Sequence, residues 1–182
     1  ATGAVDSTLI VDGTGEGVTG SIVEVISGNY ALSDGATLTG NTTTGDGSAI
    51  NNSANAYLLG GTITANSTTG NGGAINNAAG ANVYLQNGTI TANSAAAGGA
   101  IYSEGTVNIQ GTLSVTGNTV TNSFEAASNL VLAKDGVINV SGAVTGSAIG
   151  VAVQEANAGR TVVKLGDAVT DVKLADVLSQ RS

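Results

Sequence analysis

The chain repeats itself at a nearly fixed interval. Residues 72–93 read GGAINNAAGANVYLQNGTITAN, opening on Gly-Gly-Ala-Ile and closing on Thr-Ile-Thr-Ala-Asn. Gly47-Ser48-Ala49-Ile50 and Thr62-Ile63-Thr64-Ala65-Asn66 precede it as near copies. Gly98-Gly99-Ala100-Ile101 and Val115-Thr116-Gly117-Asn118 follow it. A unit this short cannot bury an apolar face alone, so it must stack on its own copies.

The apolar residues fall into columns. Leu38, Ile63, Ile90, Val115, Val140 and Leu165 are spaced 25, 27, 25, 25 and 25 residues apart. Ile50, Ile75, Ile101, Phe124 and Ile149 are spaced 25, 26, 23 and 25. A looser third column is Leu32, Leu59, Leu85, Ile109 and Leu132. Around each column the pattern alternates, as in Ala36-Thr37-Leu38-Thr39 and Gly88-Thr89-Ile90-Thr91. That period of two places one apolar residue inside and its neighbours outside. Gly and Asn separate the runs, as sharp corners require. Three short strands in about 25 residues describe one coil of an all-β parallel β-helix, a β-solenoid, with coils ~4.8 Å apart. Six such rungs predict a rod of roughly 30 Å.

Composition agrees with a thin stacked core. Aromatics are 3% and charged residues 10%, with one Phe and no Trp, Met, Pro, Cys or His. The interior must therefore be Val, Ile, Leu and Ala, with Ala49, Ala74, Ala100 and Ala148 beside the columns. A hydrophobic content of 41% and a regular period argue against disorder despite the 28 Gly. The net charge is −8 with only 5 Lys and Arg. No basic stripe exists to neutralise phosphates, which argues against nucleic acid and anionic membranes as partners. No apolar run approaches the ~18 residues of a membrane span, so no membrane insertion is expected. Without Cys there are no disulfides and no thiolate metal sites.

The whole of 1–182 reads as one domain. Residues 1–27 hold two apolar runs, Leu9-Ile10-Val11 and Ile22 to Ile26, around the turn-rich Asp12 to Gly17. They are expected to form an irregular N-terminal coil or cap. The GxGxG in that loop lacks a following helix and a P-loop Lys, so it does not read as a phosphate cradle. Regular coils are expected over 28–150. Residues 151–182 are expected to form the C-terminal coil and cap, since an open end exposes strand edges. There Thr161 to Leu165 supplies one more strand, and Asp171 to Leu178 is amphipathic, as a strand or a short helix. Four of the five basic residues, Arg160, Lys164, Lys173 and Arg181, lie in this part. Residue 1 is Ala and no leader is legible, which reads as a removed leader or a trimmed chain.

Asn41, Asn66, Asn93 and Asn118 form a further column, each three residues after an aliphatic column residue. Inward Asn at a corner can hydrogen-bond its copies and the turn backbone, so these are expected to be structural. The competing reading is glycosylation, since Asn41, Asn66, Asn87 and Asn139 sit in N-x-S/T sequons. Catalysis on a β-helix needs clustered carboxylates, often with a base. The 13 acids here are scattered. Asp46 and Glu104 fall near corners without an acidic partner, and Asp46 in TGDGSAI reads as a turn residue. No catalytic, cofactor-binding or metal-binding residue is therefore expected. Thr flanks the first column at Thr37 and Thr39, Thr62 and Thr64, and Thr89 and Thr91. Ser114 with Thr116, then Asn139 with Ser141, continue the pattern. Such an outward array is what ice-binding solenoids use, the alternative function. Thr is also a good strand former on any solvated face.

The alternating motifs resemble the repeats of polymorphic outer membrane proteins, bacterial surface proteins whose signature alternates GGA-I/L/V with FxxN. The first element stands at 47–50, 72–75, 98–101 and 146–149, and the second at Leu38 to Asn41, Ile63 to Asn66, Ile90 to Asn93 and Val115 to Asn118. An aliphatic residue replaces the family's Phe throughout, and the resemblance covers roughly residues 30–150. It implies a right-handed parallel β-helix located outside the cell or on its surface, in adhesins and autotransporter passengers, with no catalytic residues to carry over. Neither a translocator barrel nor a sorting signal is legible. The expected function is a non-catalytic structural solenoid, adhesin-stalk-like or stacking head-to-tail into a fibre. Its expected partners are copies of itself through the solenoid ends, or other surface proteins and host ligands.

Overall fold

The computed structural model describes residues 9–14, 19–121, 129–146, 149–154 and 161–165. One coil shows the plan. β6 (Ile50–Asn52), β7 (Asn55–Leu58), β8 (Thr62–Thr64) and β9 (Ser67–Thr68) go once round, and β10 (Ile75–Asn77) then pairs in parallel with β6. The first face is a six-stranded sheet of β2 (Val23–Val25), β6, β10, β13 (Ile101–Ser103), β16 (Leu130–Leu132) and β18 (Val151–Val153). The second face holds β3 (Asn29–Leu32), β7 and the first halves of β11 (Asn82–Thr91), β14 (Thr106–Thr116) and β17 (Val137–Gly146), then β19 (Val163–Leu165). The third face holds β1 (Leu9–Asp12), β4 (Ala36–Thr39), β8 and the second halves of the same three long strands. These two faces join into one nine-stranded sheet. A fourth, narrow sheet contains β5 (Thr42–Thr43), β9, β12 (Ser94–Ala95) and β15 (Thr119–Val120). The chain is thus a parallel β-solenoid of about five turns with roughly 26 residues per coil. The fourth sheet goes beyond the three strands per coil expected, because its two-residue strands carry no aliphatic column.

The GGAI motif has a local cause. Its first glycine, at Gly47, Gly72 and Gly98, has φ of 69°, 69° and 61°, a left-handed conformation that favours glycine. A Cβ at Gly72 would overlap the carbonyl oxygen of Ile75, and one at Gly98 that of Ile101. The Ala of the motif, Ala49, Ala74 or Ala100, is fully buried, and the Ile enters the core.

The columns are real but partly re-sorted. Leu38, Ile63, Ile90 and Val115 stack in register, all buried. Val140 does not continue them. It pairs with Ile109 and Leu165, extending the column Leu32–Leu58–Leu85–Ile109. The reason is the corner between the second and third faces. Leu85 and Asn87 lie opposite Ile109 and Thr112, and Ile109 and Gly111 opposite Val140 and Val144. Each shift adds residues to the later coil, so a constant spacing of 25 slips from one column to another. Leu165 is 48% exposed on the last described strand. In the third column the inward residue is Leu58, 2% exposed, whereas Leu59 is 38% exposed. A slip of one residue reverses the face of a strand.

The second column runs Val23–Ile50–Ile75–Ile101–Leu130–Val151. Leu130 holds the place expected for Phe124, which lies outside the described residues, as does Ala148. Ile149 is buried but precedes the paired strand that begins at Val151. Leu132 pairs with Ser103 and Val153 on the first face, so it too changes column. At the N-terminal end β1, β2 and β3 join the regular sheets as strands like the others. β18 and β19 likewise continue the stack, while Asp171 to Leu178 lies outside the described residues.

The polar interior and the candidate functional faces

Each of Asn41, Asn66, Asn93 and Asn118 follows a residue in the left-handed conformation: Gly40 (φ 75°), Ala65 (55°), Ala92 (55°) and Gly117 (64°). That turn swings the Asn side chain inward, where all four are buried. The Oδ1 of each of the last three accepts the backbone N–H of the copy one coil earlier: Asn66 from Asn41 at 3.1 Å, Asn93 from Asn66 at 3.0 Å, Asn118 from Asn93 at 3.0 Å. The amide nitrogens also link along the row, Asn66 to Asn93 at 3.0 Å and Asn93 to Asn118 at 2.9 Å. Asn118 passes the row on to Asn129 at 2.9 Å. Asn93 further donates to the carbonyls of Ile63 and Thr91. At the other end Asn41 donates to the carbonyls of Gly20 and Ser48, and its buried Oδ1 has no donor among the described residues.

A second buried row was missed in the sequence. Asn52 donates to Asn77 Oδ1 at 2.8 Å, Asn77 donates to Ser103 Oγ at 3.0 Å, and Ser103 donates to the Gly105 carbonyl. All three are fully buried. The signal was present: each sits two residues after a column Ile, so strand alternation turns it inward with that Ile.

Burial bears directly on glycosylation. The amides of Asn41 and Asn66 are enclosed and bonded, so the folded chain does not offer them to a transferase. Asn87 is exposed and accepts the Thr112 N–H, and Asn139 is partly exposed and donates to Asn108 Oδ1.

On the third face the hydroxyl rows are in register. Thr37, Thr62, Thr89 and Ser114 form one row, and Thr39, Thr64, Thr91 and Thr116 the other. The rows begin under Ile10 and Asp12 of β1. Asn139 and Ser141 do not extend them, since Asn139 pairs with Asn108 on the second face. The second face instead stacks Tyr57 on Tyr84, ring centroids 4.4 Å apart and 4° from parallel. Burial and the neighbouring Tyr57 raise the Tyr84 phenol above its ordinary pKa, and burial alone raises that of Tyr30.

Among the described residues the acids do not cluster. Asp46 accepts the Asn71 N–H at 2.7 Å, and Glu104 pairs with Lys134 at 2.8 Å. Among the described residues no three of His, Cys, Asp and Glu gather as metal ligands would. Among them, too, no helix is long and apolar enough to cross a membrane. No protein-family model, no curated protein and no solved structure matches the chain.

Proposed function

We propose that this solenoid is a non-catalytic structural element at a cell surface or outside the cell, a rod segment of the adhesin-stalk kind. One observation carries the reading. The two buried polar rows bond along the stack or to its turn backbone, so the polar interior serves coil-to-coil cohesion. A side chain held for chemistry would instead converge with others on a cleft. The alternation of GGAI-type and aliphatic-x-x-Asn elements, similar to polymorphic outer membrane protein repeats, supports the placement outside the cell. An antibody raised against the folded chain tests it. Labelling of intact source cells is expected. Labelling only after lysis contradicts the proposal.

The registered hydroxyl rows favour a second reading, ice binding on the third face. Four coils offer hydroxyls in both rows, at ~4.8 Å along the rod. Thermal hysteresis of the purified protein decides it. Hysteresis lost on Thr64→Tyr and Thr91→Tyr would put ice binding in place of the structural role.

A further inference from the structure

We infer that the two ends of the solenoid are complementary, so that the N-terminal coil of one copy continues the C-terminal coil of another in register. This rests on the structural-rod reading and names the partner of its ends. The head is formed by β1, β2 and β3. Among the described residues nothing pairs with the outer edges of β1, β2 and β3. The tail ends on β18 and β19, whose outer edges are equally unpaired among the described residues. Unpaired parallel edges recruit a further strand.

The side chains match as well as the edges. Extending the rows of the first face across such a junction sets Val151-Ala152-Val153 against Val23-Glu24-Val25, valine on valine at both inward positions. On the second face Val163-Lys164-Leu165 meets Tyr30-Ala31-Leu32, leucine on leucine at the innermost row. β1 of the incoming copy then takes the third face, with its Leu9 opposite Gly146 at the end of β17. Leu165 lies in an inward column, and Leu9 stands on the same side of β1 as the core-facing Val11, yet they are 48% and 61% exposed. No described strand lies beyond either, and a junction would bury them.

Charge disfavours head-to-head contact. The first 32 residues contain Asp6, Asp12, Glu16 and Glu24 and no Lys or Arg. In 151–182 the four cations Arg160, Lys164, Lys173 and Arg181 are balanced by Glu155, Asp167, Asp171 and Asp176, so the tail carries no like charge of its own. A contact of this heterologous kind does not close on itself and propagates as a filament.

The chain has no cysteine, so engineered thiols report the register cleanly. Ala31 and Lys164 both point outward, and the junction sets them side by side at ~4.8 Å, within disulfide reach. Single variants Ala31→Cys and Lys164→Cys are mixed and oxidised. The mixed disulfide is expected in excess over either homodimer. Pairing Ala31→Cys with Ala152→Cys, on different faces, should give no such excess. The double variant Ala31→Cys/Lys164→Cys should give a ladder of oligomers on a non-reducing gel. Circular dichroism of each variant confirms that it is folded. A statistical mixture, or a monomer with no mixed disulfide at high concentration, overturns the inference. Surface labelling of cells separates the two claims: if it persists while the junction fails, only the junction is lost.

Discussion

Asn93 shows how much one buried side chain does here. Its Oδ1 accepts from both the backbone and the amide of Asn66, and its nitrogen donates to Ile63, Thr91 and Asn118. Asn93→Ala leaves the buried Asn66 N–H without its acceptor, a loss of about 2–3 kcal/mol. Exposed Asn87→Ala should cost under ~1 kcal/mol. Chemical denaturation of the two variants makes the comparison. The left-handed residues before the ladder give a prediction of opposite sign. Ala65 and Ala92 are exposed at φ 55°, where glycine stands in the coils on either side. Ala65→Gly and Ala92→Gly should each stabilise by about 0.5–1 kcal/mol, relief of strain outweighing chain entropy. A lower melting temperature for both would mean that these turns are not left-handed. The first Asn ladder was legible because its spacing repeats with the aliphatic column. The second is fixed by alternation from the column Ile, two residues before each member, but the neighbouring Asn51 and Asn76 mask it as a plain polar run.

At the scale of the strand, alternation was readable and register was not. Leu58 and Leu59 are chemically alike, and only pairing with Leu32 and Leu85 shows that Leu58 is inside. Leu58→Ala should cost about 2–5 kcal/mol, whereas Leu59→Ala should cost under ~1 kcal/mol. Equal losses would reverse the face of β7. Val140 slipped columns for a related reason, since the extra corner residues in β14 and β17 leave no mark in composition. β3 carries a test by pH. Burial raises the Tyr30 phenol above its ordinary 10.0, because the phenolate is poorly solvated there. Its contribution to stability is therefore complete below about pH 10 and lost as pH rises through the raised value. Tyr30→Phe should lessen the alkaline fall in melting temperature. An unchanged fall would show that the ring is not buried in the fold.

Over the whole molecule the interior changes character along the axis. The row Asn52–Asn77–Ser103 gives way to Leu132 and Val153, so the early coils are held by amide chains and the later ones by aliphatic packing. With few aromatics, the early coils rest on those amides more than an ordinary core does. The amides of Asn66, Asn93 and Asn77 are sealed inside the stack. Hydrogen exchange of side-chain amides, followed by nuclear magnetic resonance, reports on that seal. Their NH2 protons should exchange as slowly as the backbone amides of Ile63 and Ile90, while the exposed Asn87 exchanges at the rate of a free peptide. Fast exchange at Asn66 and Asn93, with the backbone still protected, would contradict the account.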